Sequence, residues 1–333
     1  MRITIKDVAR RAGVGVGTVS RVINRSGPVK PETKARVEAT IRELNYMPNE
    51  IARSMVRGTT RTVAVVIPDM GMSVLMGMVQ GLNEVAYERG YTVIALDSKG
   101  EADRERRMVR VAREKRVDGL VLFGTPGTTG VLRQIRKWGL PVVVLDRLLT
   151  SSLEDVQVPQ VAIDHIGGAR LAMDLLLRYS RRPVHVAGPM NASSALYRLQ
   201  VFGDMLAEHD IPFDQRFIEQ GEFTYEGGYR ATLALLERVP DLDGVFAAND
   251  FMALGVLRAL AESGRRVPDD VRVVGFDDIF MAALSNPPLT TIHHPTTEIG
   301  RLAMNILLDV MERGQASSDV TLVPARLVRR QSC

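Results

Sequence analysis

From residue 62 onward the sequence repeats one pattern: a short uninterrupted apolar run, then a stretch with apolar residues at helical spacing. The runs cover residues 63–67, 91–96, 119–123, 142–145, 184–187, 244–248 and 271–276, and Pro68-Asp69 closes the first. Apolar runs without polar alternation are the signature of strands buried on both faces. Segments of helical period at 76–89, 104–115, 166–179, 194–209, 227–238 and 251–263 lie between most of them. Such alternation predicts parallel sheets with helices on both faces. About six units are too many for one sheet of ordinary size. Two Rossmann-like lobes with a cleft between them fit the 333 residues better.

The first 58 residues follow another rule. Val8, Ala9, Ala12, Val14, Val19, Val22 and Ile23 fall at helical intervals in two runs, and Gly13 and Gly15 flank the break. Two short helices joined by a glycine-containing turn form a helix-turn-helix. Thr4 is placed to cap the first helix, with Asp7 at its positive end. The second helix, residues 16–24, carries Thr18, Ser20, Arg21 and Asn24, side chains that donate to phosphates and base edges. A third helix is expected at 31–44, opened by Pro31, with Ala35, Val37, Ile41 and Leu44 on its buried stripe. Residues 45–58 read as a linker, with a short helix from Pro48 to Gly58 that forms only in a complex. The glycines 13, 15 and 17 mimic a phosphate-cradling loop, but a dinucleotide fingerprint must follow a strand, and here a helix precedes it.

The net charge of +4 conceals an asymmetry. Residues 1–58 hold twelve Lys+Arg against five Asp+Glu, a net of +7, which leaves −3 for the remainder. Basicity is thus concentrated on the piece expected to meet phosphates. There is no run of about twenty apolar residues and no N-terminal hydrophobic signal segment. The single cysteine, Cys333, permits no internal disulfide, and a cytoplasmic protein without membrane contact is expected. A Rossmann-type enzyme is the weaker alternative. No strand-linked G-x-G-x-x-G occurs, the glycines at 124–130 lack the lysine of a phosphate loop, and no nucleophile–histidine pairing stands out. No catalytic residue, cofactor or metal is therefore assigned; His293-His294 have no further histidine or cysteine nearby in sequence.

Several motifs in order resemble the lactose-repressor/galactose-repressor (LacI/GalR) family of bacterial transcriptional regulators. They are DVARRAGV at 7–14, TVSRVIN at 18–24, LNYMPN at 44–49, ARSM at 52–55, ANDFMALG at 248–255, VVGFDD at 273–278 and PPLTTI at 287–292. The resemblance spans essentially the whole chain. It implies a small all-α helix-turn-helix headpiece (1–46), a hinge helix (47–58) and an α/β effector-binding and dimerisation core (59–333). The core would consist of two Rossmann-like parallel-sheet lobes, periplasmic-binding-protein-like. Its first lobe would take about 60–160 plus 290–322, its second 161–288 plus 323–333, with chain crossings near 158–163, 287–290 and 322–324. The implied function is a ligand-responsive, sequence-specific repressor, binding a palindromic operator in double-stranded DNA as a homodimer and released by a sugar or sugar derivative. The segment after Ala325 is too short for a tetramerising heptad helix.

By position, the resemblance implies DNA contacts from Thr4, Val16, Gly17, Thr18, Ser20, Arg21, Asn24, Tyr46, Asn49, Arg53 and Met55, the last as a minor-groove wedge. Val16 and Gly17 stand where relatives place base-reading side chains, so direct readout leans on Arg21. The implied ligand residues are Lys99, Asp146, Arg147, Arg198, Asn249, Asp277 and His294, with Phe223 as the stacking aromatic. Most fall at strand ends or helix starts, where open α/β sheets bind ligands. The stretch Met70–Met78 reads as core and dimer-interface packing. A purine-type corepressor is the alternative effector; the charged and amide set favours a polyol over a flat base.

Overall fold

The computed structural model describes residues 3–24, 26–47, 58–124, 128–146, 158–314 and 319–333. Expectations for Asn49, Arg53, Met55 and Arg147, and for a helix at 48–58, lie outside the described residues. Two compact units divide at Thr60 and Arg61.

The first unit is three helices, α1 (Ile5–Ala12), α2 (Val16–Asn24) and α3 (Pro31–Glu43). At the start of α1, Asp7 Oδ2 accepts from both the Thr4 N–H, at 3.0 Å, and the Thr4 hydroxyl, at 2.7 Å. Gly13 ends the helix in the left-handed region, at φ 64°, which glycine adopts without a Cβ penalty. The Gly15 carbonyl accepts the first-turn N–H groups of Thr18 and Val19. Val8, Ala9, Ala12, Val19, Val22 and Val37 form the small core, and Arg11 pairs with Glu43 at its edge.

The second unit holds two parallel sheets. In the first lobe β1 (Thr62–Ile67), β2 (Thr92–Asp97), β3 (Gly119–Phe123), β4 (Val142–Leu145), β5 (Gln160–Ile163) and β11 (Val320–Val323) run in the order β11-β5-β4-β3-β1-β2, every pair parallel. Its helices are α4 (Ser73–Glu88), α5 (Ala102–Glu114), α6 (Thr128–Trp138) and α12 (Thr296–Arg313). The second lobe has β6 (Pro183–Ala187), β7 (Ile218–Gln220), β8 (Gly244–Ala247) and β9 (Arg272–Val274) in the order β7-β6-β8-β9. It carries α7 (His165–Leu177), α8 (Ser193–Glu208), α9 (Tyr225–Arg238), α10 (Asp250–Glu262) and the short α11 (Phe280–Leu284). β10 (Thr291–His293) pairs antiparallel with β12 (Arg326–Val328).

The continuous apolar runs form the central strands: β1, β3, β4, β6 and β8 are almost wholly buried, as strands with helices on both faces must be. Two expectations need correction. The chain crosses between lobes after Ile163, around Pro295 and between Val323 and Arg326. The middle crossing, expected at 287–290, comes later because Val274 bridges Thr290 and Asp277 bridges His293, which keeps β10 with the second lobe. The methionine stretch is also divided in role: Met78 is buried core, but Met72 lines the cleft.

Candidate functional site

In the headpiece, α2 presents Val16 at 41% exposure, with Gly17 and Thr18 beside it. A Cβ at Gly15 or Gly17 would meet no atom within 4 Å. Nothing inside the headpiece therefore demands glycine at either position, although a helical glycine costs about 0.5–1 kcal/mol against alanine. Arg21 is exposed, while Ser20 and Asn24 bond to each other, Asn24 donating from Nδ2 at 3.2 Å. Thr4 is exposed at the start of α1 and Tyr46 is half-buried against the headpiece core.

In the core, a cleft of about 270 Å³ opens between the lobes. Pro68, Asp69, Met72, Leu75, Lys99 and Asp146 line it from the first lobe; Asn191, Ser193, Ser194 and Phe223 line it from the second. Apolar surface at Met72, Leu75 and Phe223 faces carboxylates, hydroxyls and an amide, the mixture that suits a molecule with both C–H faces and hydroxyls. α4 and α8, which begin at the cleft, have no side-chain cap. α7, α9 and α10 are capped by Asp164, Thr224 and Asn249.

Of the expected ligand residues, Lys99, Asp146 and Phe223 line the cleft. Lys99 Nζ lies 2.9 Å from Asp97 and 3.6 Å from Asp69, and these carboxylates raise its pKa. Phe223 lies so close to Gly188 that a Cβ there would come within 2.3 Å of the ring. Asn249 acts as a helix cap: its Oδ1 accepts from the Met252 N–H at 2.9 Å and its Nδ2 donates to the Phe223 carbonyl at 3.3 Å. It holds the aromatic in place instead of facing the cleft.

Arg198, Asp277 and His294 lie with Asp146 in one buried cluster, and the structure adds a fifth member absent from the sequence expectations, His165. Asp146 Oδ1 is 3.3 Å from His165 Nε2, whose Nδ1 is 3.3 Å from Arg198 Nη2. Arg198 Nη2 is 3.7 Å from Asp277 Oδ1, which is 3.6 Å from His294 Nδ1. His294 Nε2 returns to Asp146 Oδ1 at 3.8 Å, closing a ring of five side chains. Arg198 also donates to the Ala248 carbonyl. Six buried side-chain polar atoms among the described residues make no hydrogen bond, and five belong to Asp146, His165, Arg198 and His294. Unsatisfied buried polar atoms cost on the order of 1–3 kcal/mol each, so their concentration beneath a cleft marks a site built for a partner.

Burial pushes the His165 imidazole down, which leaves it neutral near pH 7 against the opposing pull of Asp146. Burial pushes the Asp146 carboxyl up, but its contact with His165 and the charges of His294 and Arg198 outweigh this and hold it below its ordinary value. Burial lowers the Arg198 pKa. Behind the ring, burial and the Asp277 charge drive Asp250 well above the usual carboxylate range.

Four of the ten described non-glycine residues at positive φ lie at the cleft or in the ring. Lys99, Asp146, Phe223 and Asp277 are non-glycine residues at φ 53°, 55°, 59° and 116°. Such conformations cost about 1–3 kcal/mol each and gather at sites where the fold must aim a side chain. Among the described residues no group of three or more His, Cys, Asp or Glu is arranged to hold a metal ion, and no helix is long and apolar enough to cross a membrane.

A helix-turn-helix joined to a two-lobed α/β core with a polar interlobe cleft is the architecture of a ligand-responsive transcriptional regulator. The chain belongs to the lacI family of bacterial regulatory proteins: the family model so described matches residues 4–49, and one described as a periplasmic binding protein-like domain matches 174–333. The HTH-type transcriptional regulator CelR of Thermobifida fusca is 38% identical, covering 97% of this chain and 95% of its own. A solved CelR–cellobiose complex is 35% identical over 100% of both chains, with a TM-score of 0.75. A lac repressor dimer bound to operator and an anti-inducer is 28% identical over 100% of this chain and 99% of that one, with a TM-score of 0.91.

Proposed function

We propose that this regulator represses transcription as a homodimer on a palindromic operator and is released when a sugar or sugar derivative occupies the interlobe cleft. The observation that carries the effector reading is the set of unsatisfied polar atoms on Asp146, His165, Arg198 and His294, beneath a cleft with Phe223 on its wall. Polyol hydroxyls donate and accept at once and match mixed carboxylate, imidazole and guanidinium groups. CelR, known in complex with cellobiose, supports the same class. In this reading Lys99, Asp146, Arg147, Arg198, Asp277 and His294 serve the ligand with Phe223, and Asn249 supports Phe223. DNA is read by Val16, Gly17, Thr18, Ser20, Arg21 and Asn24, with Thr4, Tyr46, Asn49 and Arg53 on the backbone and Met55 in the minor groove. The division into headpiece (1–46), hinge (47–58) and core (59–333) and a cytoplasmic location belong to it.

Dimerisation is supported by exposed apolar side chains on both lobes: Phe280 at 80% and Leu284 at 68% on α11, and Ile94 on the edge strand β2. Isolated surface apolar residues are ordinary, but a paired patch on a short helix is what a subunit interface uses.

Thermal-shift measurements with cellobiose and a panel of mono- and disaccharides, against hypoxanthine and guanine, test the effector class. A ligand bound only by the folded state raises the transition by mass action. Stabilisation by a saccharide alone is expected; stabilisation by a purine alone overturns the assignment.

A further inference from the structure

The five-residue ring is asymmetric in a way that the ligand assignment does not use. Asp146, at the end of β4, is its sole first-lobe member. Arg198 lies on α8, Asp277 follows β9, His165 opens α7 immediately after the first crossing, and His294 follows β10 just before the second. Every link within the second lobe is independent of lobe orientation. Within the ring, two charge contacts that are not full hydrogen bonds join the lobes, His165 Nε2 to Asp146 at 3.3 Å and His294 Nε2 to Asp146 at 3.8 Å.

We propose that His165 and His294 are positioning residues that latch Asp146 of the first lobe onto the Arg198–Asp277 pair of the second and so set the lobe orientation. The chemistry follows from the imidazole. His165 Nδ1 faces an Arg198 nitrogen that can only donate, so Nδ1 is the acceptor and Nε2 carries the proton that faces Asp146. The arginine thereby fixes the tautomer that attracts the first-lobe carboxylate. His294 stands between two carboxylates, with Nε2 toward Asp146 and Nδ1 toward Asp277. Tyr197 stacks on His165 at 6.3 Å, Phe276 lies 6.2 Å away, and Asp250 of α10 lies behind Asp277. The latch stands whether or not the effector is a saccharide.

The test is an interlobe distance, read in the full-length, ligand-free protein by spin labels at Arg104→Cys on α5 and Arg230→Cys on α9. Both side chains are exposed and Cys333 is buried. His165→Phe keeps the aromatic packing and removes the link; it is expected to lengthen and broaden the distance distribution. His165→Gln, whose amide can accept from Arg198 or donate toward Asp146, is expected to restore it at least in part. If His165→Phe folds with an unchanged transition and keeps the wild-type distribution, the latch is overturned. If His165→Phe does not fold, Asp146→Asn carries the same expectation, and an unchanged distribution with it overturns the proposal. Added cellobiose, tested separately on each variant, reports on the effector reading alone.

Discussion

The Arg198 guanidinium sits over Phe276, its Cζ 3.7 Å from the ring centroid, while its Nη atoms reach the Asp277 carboxylate and the Ala248 carbonyl. A buried arginine so enclosed is as much a structural member of the second lobe as a ligand group. Arg198→Met keeps apolar contact with Phe276 but leaves the Asp277 carboxylate buried without its cation. Breaking a buried pair in this way costs about 3–5 kcal/mol. Urea unfolding should show a loss of that order. A loss below about 1 kcal/mol would mean that Asp277 is satisfied by another group.

Asn249 separates capping from ligand contact. Asn249→Ala should cost about 0.5–2 kcal/mol, as loss of a helix cap does. Asn249→Asp keeps the acceptor for the Met252 N–H and loses only the donor to the Phe223 carbonyl. The aspartate variant should therefore keep most of the stability yet bind ligand more weakly through a less well-held Phe223. Equal loss of stability in both variants contradicts this.

His185 gives the second lobe a pH dependence of defined sign. It is sandwiched between Phe202 and Phe246, and burial lowers its pKa from 6.5 to about 4. Above pH 6.5 neither folded nor unfolded chain protonates it and its contribution is complete. Between 6.5 and 4 the unfolded chain binds a proton that the folded chain refuses, so stability falls with pH. Over that whole window the loss is about 3 kcal/mol, using 1.36 kcal/mol per unit. The comparison is urea midpoints at pH 7.5 and 5, where His185→Leu should lose less than the wild type; an identical pH dependence removes His185 as its source.

Gly17 predicts opposite signs for folding and DNA binding. Room for a Cβ exists inside the headpiece, so Gly17→Ala should raise headpiece stability by about 0.5–1 kcal/mol. If α2 approaches the base edges closely at this residue, the same change weakens operator binding. Arg21→Ala should instead relax base preference at one position of each half-site, costing about 1–3 kcal/mol. Footprinting on a base-substituted operator series distinguishes the two. Uniform weakening by Arg21→Ala across that series would make Arg21 a phosphate clamp.

The alternation of apolar runs and helical periods is a strong signal because each central strand is buried on both faces, and β1, β3, β4, β6 and β8 were legible for that reason. The three-residue strands β7, β10 and β12 are too short to carry a period. α12 has a clear stripe in Ile299, Ala303, Met304 and Leu307, but it follows a crossing instead of an apolar run, so alternation does not point to it. At the site, Asp146, Arg198 and Asp277 were reachable by resemblance to a family. His165 was not: its role depends on its place just past a lobe crossing and on the Arg198 nitrogen facing it. Nor is a left-handed aspartate visible without coordinates, since nothing marks the strained backbone of Asp146 or Asp277 as glycine would.

In the proposed mechanism the first 58 residues read DNA, the cleft takes a polyol, and occupancy of the cleft controls DNA binding. The measurement is operator affinity of the purified full-length protein with and without the saccharide that stabilises it, in wild type and in Asp277→Asn. Coupling of this kind is typically ~1–3 kcal/mol, or about 5–150-fold in affinity. Wild-type operator affinity is expected to fall within that range, and Asp277→Asn, compared with its own affinity without ligand, is expected to show no response. Operator affinity that rises with ligand would contradict the release mechanism, and a full response in the variant would exclude Asp277 from the site.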